Sequence, residues 1–216
     1  IIASTLLSIL LLAIYFLLAS SIPTAEFGLF ALCISLGLLL AGLAKQGTEN
    51  LLIRFTNEVG YQSTLYAVCL LLVIFLWGLI TALLCIYPLS ISLWFSIPNI
   101  ADVLPYISAY ALCNSLQAVN AALLNALHKP KLSLFFSGVL SQLLFLFFFA
   151  FNPPDNAQNA FKLQLVCQAL SLIASFLTAW YLCLPSIKGI TRLPLRKLFN
   201  SNGYFFTIAL LMVVTQ

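Results

Sequence analysis

The sequence predicts an all-α protein that forms a polytopic bundle of membrane-spanning helices. Its 216 residues are 63% hydrophobic and only 6% charged, whereas soluble domains are about 45–50% apolar and about 25% charged. The apolar residues form long unbroken runs, unlike the alternating segments of about 10 residues that build a membrane β-barrel. This composition argues against a nucleic-acid-binding protein, a secreted disulfide scaffold and a disordered tail.

Six apolar runs have the length of a membrane span, since a bilayer core of about 30 Å requires about 20 helical residues. The predicted spans are 1–20, 27–44, 64–87, 105–127, 132–151 and 161–184. They form a six-helix lobe, 1–184, which is followed by a basic linker, 185–203, and by the start of a seventh span, 204–216. Because that last run is too short to cross and Ile1 already lies in an apolar run, we expect a fragment cut within or against a helix at both ends.

The cations are concentrated on one side of the predicted membrane. The connections 45–63, 128–131 and 185–203 contain Lys45, Arg54, Lys129, Lys131, Lys188, Arg192, Arg196 and Lys197. The opposite connections contain no Lys or Arg, and only Lys162 borders them. By the positive-inside rule, both ends of the six-span lobe are expected in the cytoplasm. The net charge of +4 then reflects orientation and contact with anionic lipid, and does not indicate nucleic acid.

The sequence contains no pattern typical of a metal, cofactor or nucleotide site. The cysteines fall within apolar runs without a C-x-x-C pair, the single histidine is His128, and no G-x-x-x-x-G-K motif occurs. The connections are short, and the predicted spans contain almost no ionisable groups. We therefore expect no cofactor and no enzymatic activity, and favour the passage of a substrate through the bundle.

Polar residues recur on one face of three spans. In the sixth span Gln164, Gln168, Ser171, Ser175 and Thr178 fall within about 80° of one another at helical spacing. The fourth span carries Asn114, Gln117 and Asn125 on one face with Asn120 beside it, and the fifth carries Ser133, Ser137 and Ser141.

Two interpretations of these stripes stay open: packing between helices, or the lining of a wet cavity. Lys162 likewise either extends to the membrane surface or attracts an anionic substrate. The candidate cavity residues are Asn114, Gln117, Asn120, Asn125, Gln164, Gln168 and Lys162.

Short motifs in segment 19–55 carry a family resemblance. Glu26, Phe27 and Gly28 precede Leu-Phe-Ala-Leu, and Gly47 precedes a Leu-Ile-Arg-Phe sequence that ends in Arg54 and Phe55. In these motifs the chain resembles the polysaccharide-biosynthesis flippases, which export O-antigen and other lipid-linked oligosaccharide units. The segment 125–131 is similar to the basic, proline-containing loop of that family.

The resemblance implies the N-terminal half of a transporter with two six-helix lobes, in the superfamily that includes the multidrug and toxin extruders. The implied function is alternating-access movement of undecaprenyl-pyrophosphate-linked oligosaccharides across the bacterial inner membrane for surface polysaccharide synthesis, including lipopolysaccharide. The implied partners are that substrate, membrane lipids, the polysaccharide polymerase and chain-length machinery, and a coupling ion, H⁺ or Na⁺.

The sequence leaves two alternative functions open. An ion-coupled multidrug antiporter is disfavoured because no acidic residue lies at mid-span. An enzyme or scaffold of polysaccharide assembly is disfavoured by the short connections on the outer side.

Overall fold

The computed structural model describes residues 2–58, 62–86 and 100–183, and every regular element within these ranges is helical. The helices are α1 (Ile2–Ser21), α2 (Thr24–Lys45), α3 (Thr48–Glu58), α4 (Gln62–Ile86), α5 (Ile100–Ala126), α6 (Pro130–Phe151) and α7 (Ala157–Cys183). A π-helical segment, Phe135–Val139, interrupts α6. The predicted all-α class is confirmed for the described part of the chain.

Five of these helices are long and apolar enough to cross a membrane. Their spans are Thr24–Lys45, Leu65–Ile86, Val103–Ala126, Pro130–Phe151 and Ala157–Leu182. They correspond to the predicted spans 27–44, 64–87, 105–127, 132–151 and 161–184. The predicted first span, 1–20, coincides with α1, Ile2–Ser21, which is not one of these five, so the predicted count of six spans is not confirmed. The linker 185–203 and the seventh span 204–216 lie outside the described residues.

The distribution of polar and apolar side chains is the reverse of that in a soluble domain. Large apolar residues cover the outer surface, among them Leu71 at 67% exposure, Phe75 at 70% and Leu177 at 62%. The buried polar side chains are Thr48, Thr56, Ser108, Ser115, Gln117, Asn120, Ser133, Ser141, Gln164, Gln168, Ser171 and Ser175. An apolar exterior around a polar interior fits a hydrocarbon environment, where polar groups must be satisfied inside the protein.

Helix α5 lies at the centre of the bundle. One apolar cluster joins it to α1, α2, α6 and α7 through residues such as Leu18, Phe30 and Phe161. A second cluster joins it to α3, α4 and α7 through residues such as Leu52 and Leu123. Because α5 takes part in both clusters, its polar residues face neighbouring helices on several sides.

The turn between α5 and α6 is fixed by backbone geometry. His128 has a φ of 58°, the Lys129 N–H donates to the Leu124 carbonyl at 2.8 Å, and the His128 N–H donates to the Asn125 carbonyl at 3.0 Å. This is a Schellman motif with its left-handed residue at His128. Pro130 then occupies the first position of α6, where its missing N–H costs nothing.

Two helices begin earlier than the sequence predicts. Helix α5 starts at Ile100 and keeps Pro105 inside it, although the apolar run was expected to start at that proline. Helix α7 starts at Ala157, four residues before the predicted 161. The Asn156 side chain caps α7 by accepting a hydrogen bond from the Asn159 N–H at 2.8 Å, which satisfies one of the unpaired donors of the first turn.

Helix α3 occupies most of the 45–63 connection, which the sequence analysis treats only as a loop. Gln46 and Gly47, with φ of 35° and 77°, turn the chain out of α2. Thr48 and Leu52 are then buried at 1% and 0% exposure, whereas Arg54 is exposed. The helix is therefore amphipathic, and its apolar face packs against α4 and α5.

Candidate functional site

A cleft of about 250 Å³ opens between α1, α2, α5, α6 and α7. We call it the Gln164 cavity. Its polar lining consists of Tyr15, Tyr110, Asn114, Ser137, Ser141, Gln142, Gln164 and Gln168, and none of the described residues that line it is charged. The rest of the wall is apolar, with Leu11, Ile14 and Phe30 among its residues. This combination of apolar walls and a few convergent polar groups is typical of small-molecule sites.

Two glycines let the walls of this cavity approach closely. A Cβ on Gly37 would lie 2.5 Å from Cδ1 of Tyr110, and a Cβ on Gly138 would lie 2.9 Å from Cδ2 of Leu7. Real Cβ atoms do not pack at such distances, so a side chain at Gly37 would displace the Tyr110 ring, and a side chain at Gly138 would require the flexible end of Leu7 to move. The Tyr110 ring, which lies beside Asn114, can therefore occupy its position because Gly37 has no side chain.

Gln164 is the most informative residue of the cavity. It is only 3% exposed and it lines the cavity, yet its amide has no hydrogen-bond partner among the described residues. Gln142 on α6 also lines the cavity, and within the same ranges it too has no partner. Within the described residues the fully buried side-chain atom without a partner is Thr56 Oγ1, so both unpaired amides keep contact with the open space of the cavity. These two amides are thus available to hydrogen-bond with whatever enters.

The other buried amides are paired between α5 and α7. Gln117 donates to Ser171 Oγ at 2.8 Å and accepts from Gln168 Nε2. One helical turn further along, Asn120 Nδ2 donates to Ser175 Oγ at 2.9 Å. We call these five residues the amide ladder. For them the packing interpretation accounts for the hydrogen bonds, although Gln168 also borders the cavity.

Two further contacts extend the ladder to neighbouring helices. Tyr66 on α4 donates to Asn120 Oδ1 at 2.5 Å. The Phe136 carbonyl, inside the π-helical segment of α6, accepts from Ser171 Oγ at 3.0 Å and from Gln117 Nε2. π-Helical turns occur often at functional sites, and this one carries Ser137 and Gly138 into the cavity wall.

A second opening, of about 320 Å³, lies between the ends of α2, α3, α5 and α6. We call it the Lys45 chamber. Its polar lining consists of Lys45, Glu49, Asn114, Gln117, Asn125, Ser133 and Ser137. Lys45 Nζ and Glu49 Oε1 form an ion pair at 2.7 Å. Asn114 and Ser137 line both openings, so the two are adjacent, and we refer to the pair as the passage.

The structure does not bring Lys162 together with the candidate amides. Its ammonium lies 5.2 Å from the centroid of the Tyr106 ring, a cation–π distance, and Lys162 lines neither the Gln164 cavity nor the Lys45 chamber. Of the other candidates, Asn114, Gln164 and Gln168 line the cavity. Asn125 and Gln117 line the chamber. Gln117 also belongs to the amide ladder, as does Asn120.

The motif residues at the first turn have structural contacts. Glu26 Oε2 accepts a hydrogen bond from the Ala157 N–H at 2.8 Å, which ties the start of α2 to the start of α7. Phe27 packs edge-on against Tyr15, with ring centroids 6.1 Å apart. A Cβ at Gly28 would meet no atom within 4 Å.

The second motif lies at the other end of α2. Gly47 supplies the positive φ that starts the turn into α3, where glycine is favoured. Arg54 is exposed on α3, and Phe55 lies in α3 with its side chain outside the described set. Among the motif residues whose side chains the structure describes, none lines either opening.

Sequence reasoning missed Gln142, Tyr15 and Tyr110 as lining residues. Gln142 is the single amide of an aromatic-rich helix and forms no stripe, whereas tyrosines in apolar runs are ordinarily membrane-interface or packing residues. A search for isolated amides within apolar runs would have found Gln142. The tyrosines carried no comparable signal.

Together, the fold and the site define a multi-pass helical membrane protein with a neutral polar cavity inside its bundle. No protein-family model, curated protein or solved structure matches the chain.

Proposed function

We propose that the protein is a membrane flippase that moves undecaprenyl-pyrophosphate-linked oligosaccharide units across the bacterial inner membrane. The observation that carries the proposal is the Gln164 amide, which is 3% exposed, lines a cavity in a membrane bundle and has no partner in the described chain. An amide inside a membrane bundle requires a hydrogen-bonding partner, and a substrate that enters the cavity would supply one.

The chemistry of the lining favours a neutral, hydroxyl-rich ligand. The amides of Gln142 and Gln164 can each donate and accept, which matches sugar hydroxyls. Tyr15 and Tyr110 add aromatic surface with a polar tip. The lining contributed by described residues contains no carboxylate, which an antiporter of cationic drugs would ordinarily use.

The direction of transport follows from the distribution of charge. Lys45, Arg54, Lys129 and Lys131 lie at the end of the bundle that carries the Lys45 chamber, so by the positive-inside rule this end faces the cytoplasm. The sugar head would enter there while the lipid tail stays in the bilayer. In keeping with the family resemblance, the bundle would act as one lobe that rocks against a second to expose the cavity alternately to each side.

Surface polysaccharide export in cells tests this function. The double variant Gln142→Leu with Gln164→Leu removes both unpaired amides and leaves the amide ladder intact. With the loss of about 1.4 kcal/mol of substrate hydrogen bonding, we expect export to fall about tenfold and the lipid-linked precursor to accumulate, at unchanged protein abundance in the membrane.

Thr178→Val is the matched control, because Thr178 lies on the same helix and, within the described residues, its side chain bonds only to the Ala174 carbonyl, at 2.9 Å. It should export at the unmodified rate. Normal export by the double variant at normal abundance would refute the proposed role of the cavity.

A further inference from the structure

The Lys45 chamber has the features of a second binding site. Its volume of about 320 Å³ is larger than that of the Gln164 cavity, about 250 Å³. The chamber lies at the lower end of the range of about 300–1,000 Å³ for small-molecule sites, and the cavity lies just below it. Three small residues, Ala118, Ala121 and Ala122, form its α5 wall and leave room that larger side chains would fill.

The lining of the chamber is polar but electrically balanced. The two charged side chains among its described lining residues, Lys45 and Glu49, pair with each other at 2.7 Å and so offset each other's charge. The Asn125 side chain is exposed at the chamber and has no partner in the described part of the chain. Ser133 donates to the Ala121 carbonyl at 2.9 Å, which leaves its oxygen able to accept.

This balance selects the chemistry of the ligand. A phosphate group would require a cation without a competing carboxylate, and a cationic drug would require a carboxylate without a competing cation. The amide of Asn125 and the hydroxyl oxygens of Ser133 and Ser137 instead offer neutral donors and acceptors, as the Gln164 cavity does. The two sites therefore fit the same chemical class.

The two sites are also close enough for one molecule to occupy both. Asn114 and Ser137 line the cavity on one side and the chamber on the other. A ligand with two neutral polar units in succession can place one unit in each site across this shared boundary. Binding the second unit then becomes an intramolecular event, which raises affinity without new contacts in the first site.

We infer that the passage binds two consecutive neutral sugar units, one in the Gln164 cavity and one in the Lys45 chamber, so that it distinguishes substrates by their number of sugars. This inference rests on the proposed function and adds to it a site that sets substrate length.

Binding of dodecyl glucoside and dodecyl maltoside to the full chain in lipid nanodiscs tests the inference, because these probes share an alkyl tail and differ by one neutral sugar. We expect the maltoside to reach half-saturation at a concentration about tenfold lower than the glucoside, equivalent to about 1.4 kcal/mol. Equal half-saturation of the two probes would overturn the inference.

Two variants locate the second sugar. Asn125→Ala removes the unpaired amide of the chamber, and Ala118→Leu fills the chamber from the α5 wall. Each should weaken binding of the maltoside to the level of the glucoside and leave the glucoside unchanged. Unchanged maltoside binding in both variants would contradict the inference.

Gln164→Leu separates this test from that of the proposed function. It should weaken both probes, because both place a sugar in the Gln164 cavity. If neither probe binds, or if Gln164→Leu changes neither, the proposed function itself fails. If the glucoside depends on Gln164 but the maltoside binds no more tightly, only the two-sugar inference fails.

Discussion

Gln117 should contribute more to the stability of the bundle than any cavity amide. It takes part in three hydrogen bonds between helices, with Ser171, Gln168 and the Phe136 carbonyl. Such bonds within membranes average about 0.6 kcal/mol and reach about 1.7 kcal/mol. Gln117→Leu keeps a side chain of similar bulk, so the expected loss is that of the hydrogen bonds, about 2 kcal/mol.

Thermal unfolding in detergent micelles measures this loss. Cys33, Cys69 and Cys167 are buried whereas Cys85 is exposed, so labelling by a thiol-reactive fluorophore beyond that of Cys85 reports unfolding. A loss of about 2 kcal/mol corresponds to a fall in Tm of about 4–8 °C for a chain of this size.

Gln164→Leu is the matched comparison, since Gln164 is equally buried but unpaired in the described chain. Its Tm should be unchanged or higher, because the substitution breaks no hydrogen bond of the described chain and replaces an amide that opens on the cavity with an apolar side chain. Equal falls in Tm for the two variants would show that the division into ladder and cavity residues is wrong.

Two further predictions concern helix contacts. Gly37→Ala places a Cβ 2.5 Å from the Tyr110 ring and should destabilise the protein by about 1–3 kcal/mol. Gly28→Ala is the control, because its Cβ would meet no atom within 4 Å, and it should not lower Tm. A larger loss of stability at Gly28 than at Gly37 would contradict this prediction. Glu26→Ala removes the 2.8 Å hydrogen bond from the Ala157 N–H and should speed hydrogen exchange of that amide about tenfold or more. Amides in the middle of α7 serve as the internal reference. Unchanged exchange at Ala157 would show that the contact does not hold the start of α7.

The sequence was informative about helices and faces because periodicity and apolar length are local properties. Asn125 of the α5 stripe is exposed, but the stripes of α5 and α7 face the interior at Gln117 and Gln164, which are both buried. Helical spacing could not separate these two residues, however. Whether an amide is paired depends on which side chain of the neighbouring helix lies at the same level along the bundle axis. That pairing is a property of the packed bundle and not of one helix.

The two missed backbone features have different physical causes. Helix α3 contains Glu49, Asn50 and Arg54 among its apolar residues, so it has neither the length nor the hydrophobicity of a span. The π-helical segment of α6 has no signature in its sequence, Phe-Phe-Ser-Gly-Val. Its Phe136 carbonyl is held by side chains from α5 and α7, so the surrounding bundle contributes to this geometry.

The amide ladder also fixes the axial register of α5 against α7. Gln117 meets Ser171, and Asn120 meets Ser175, so the paired positions advance together along both helices. A slide of one residue, about 1.5 Å, would break both bonds at once, since such bonds tolerate only about 0.5 Å. These two helices should therefore move as a single rigid body, and any widening of the passage must come from the helices that face them.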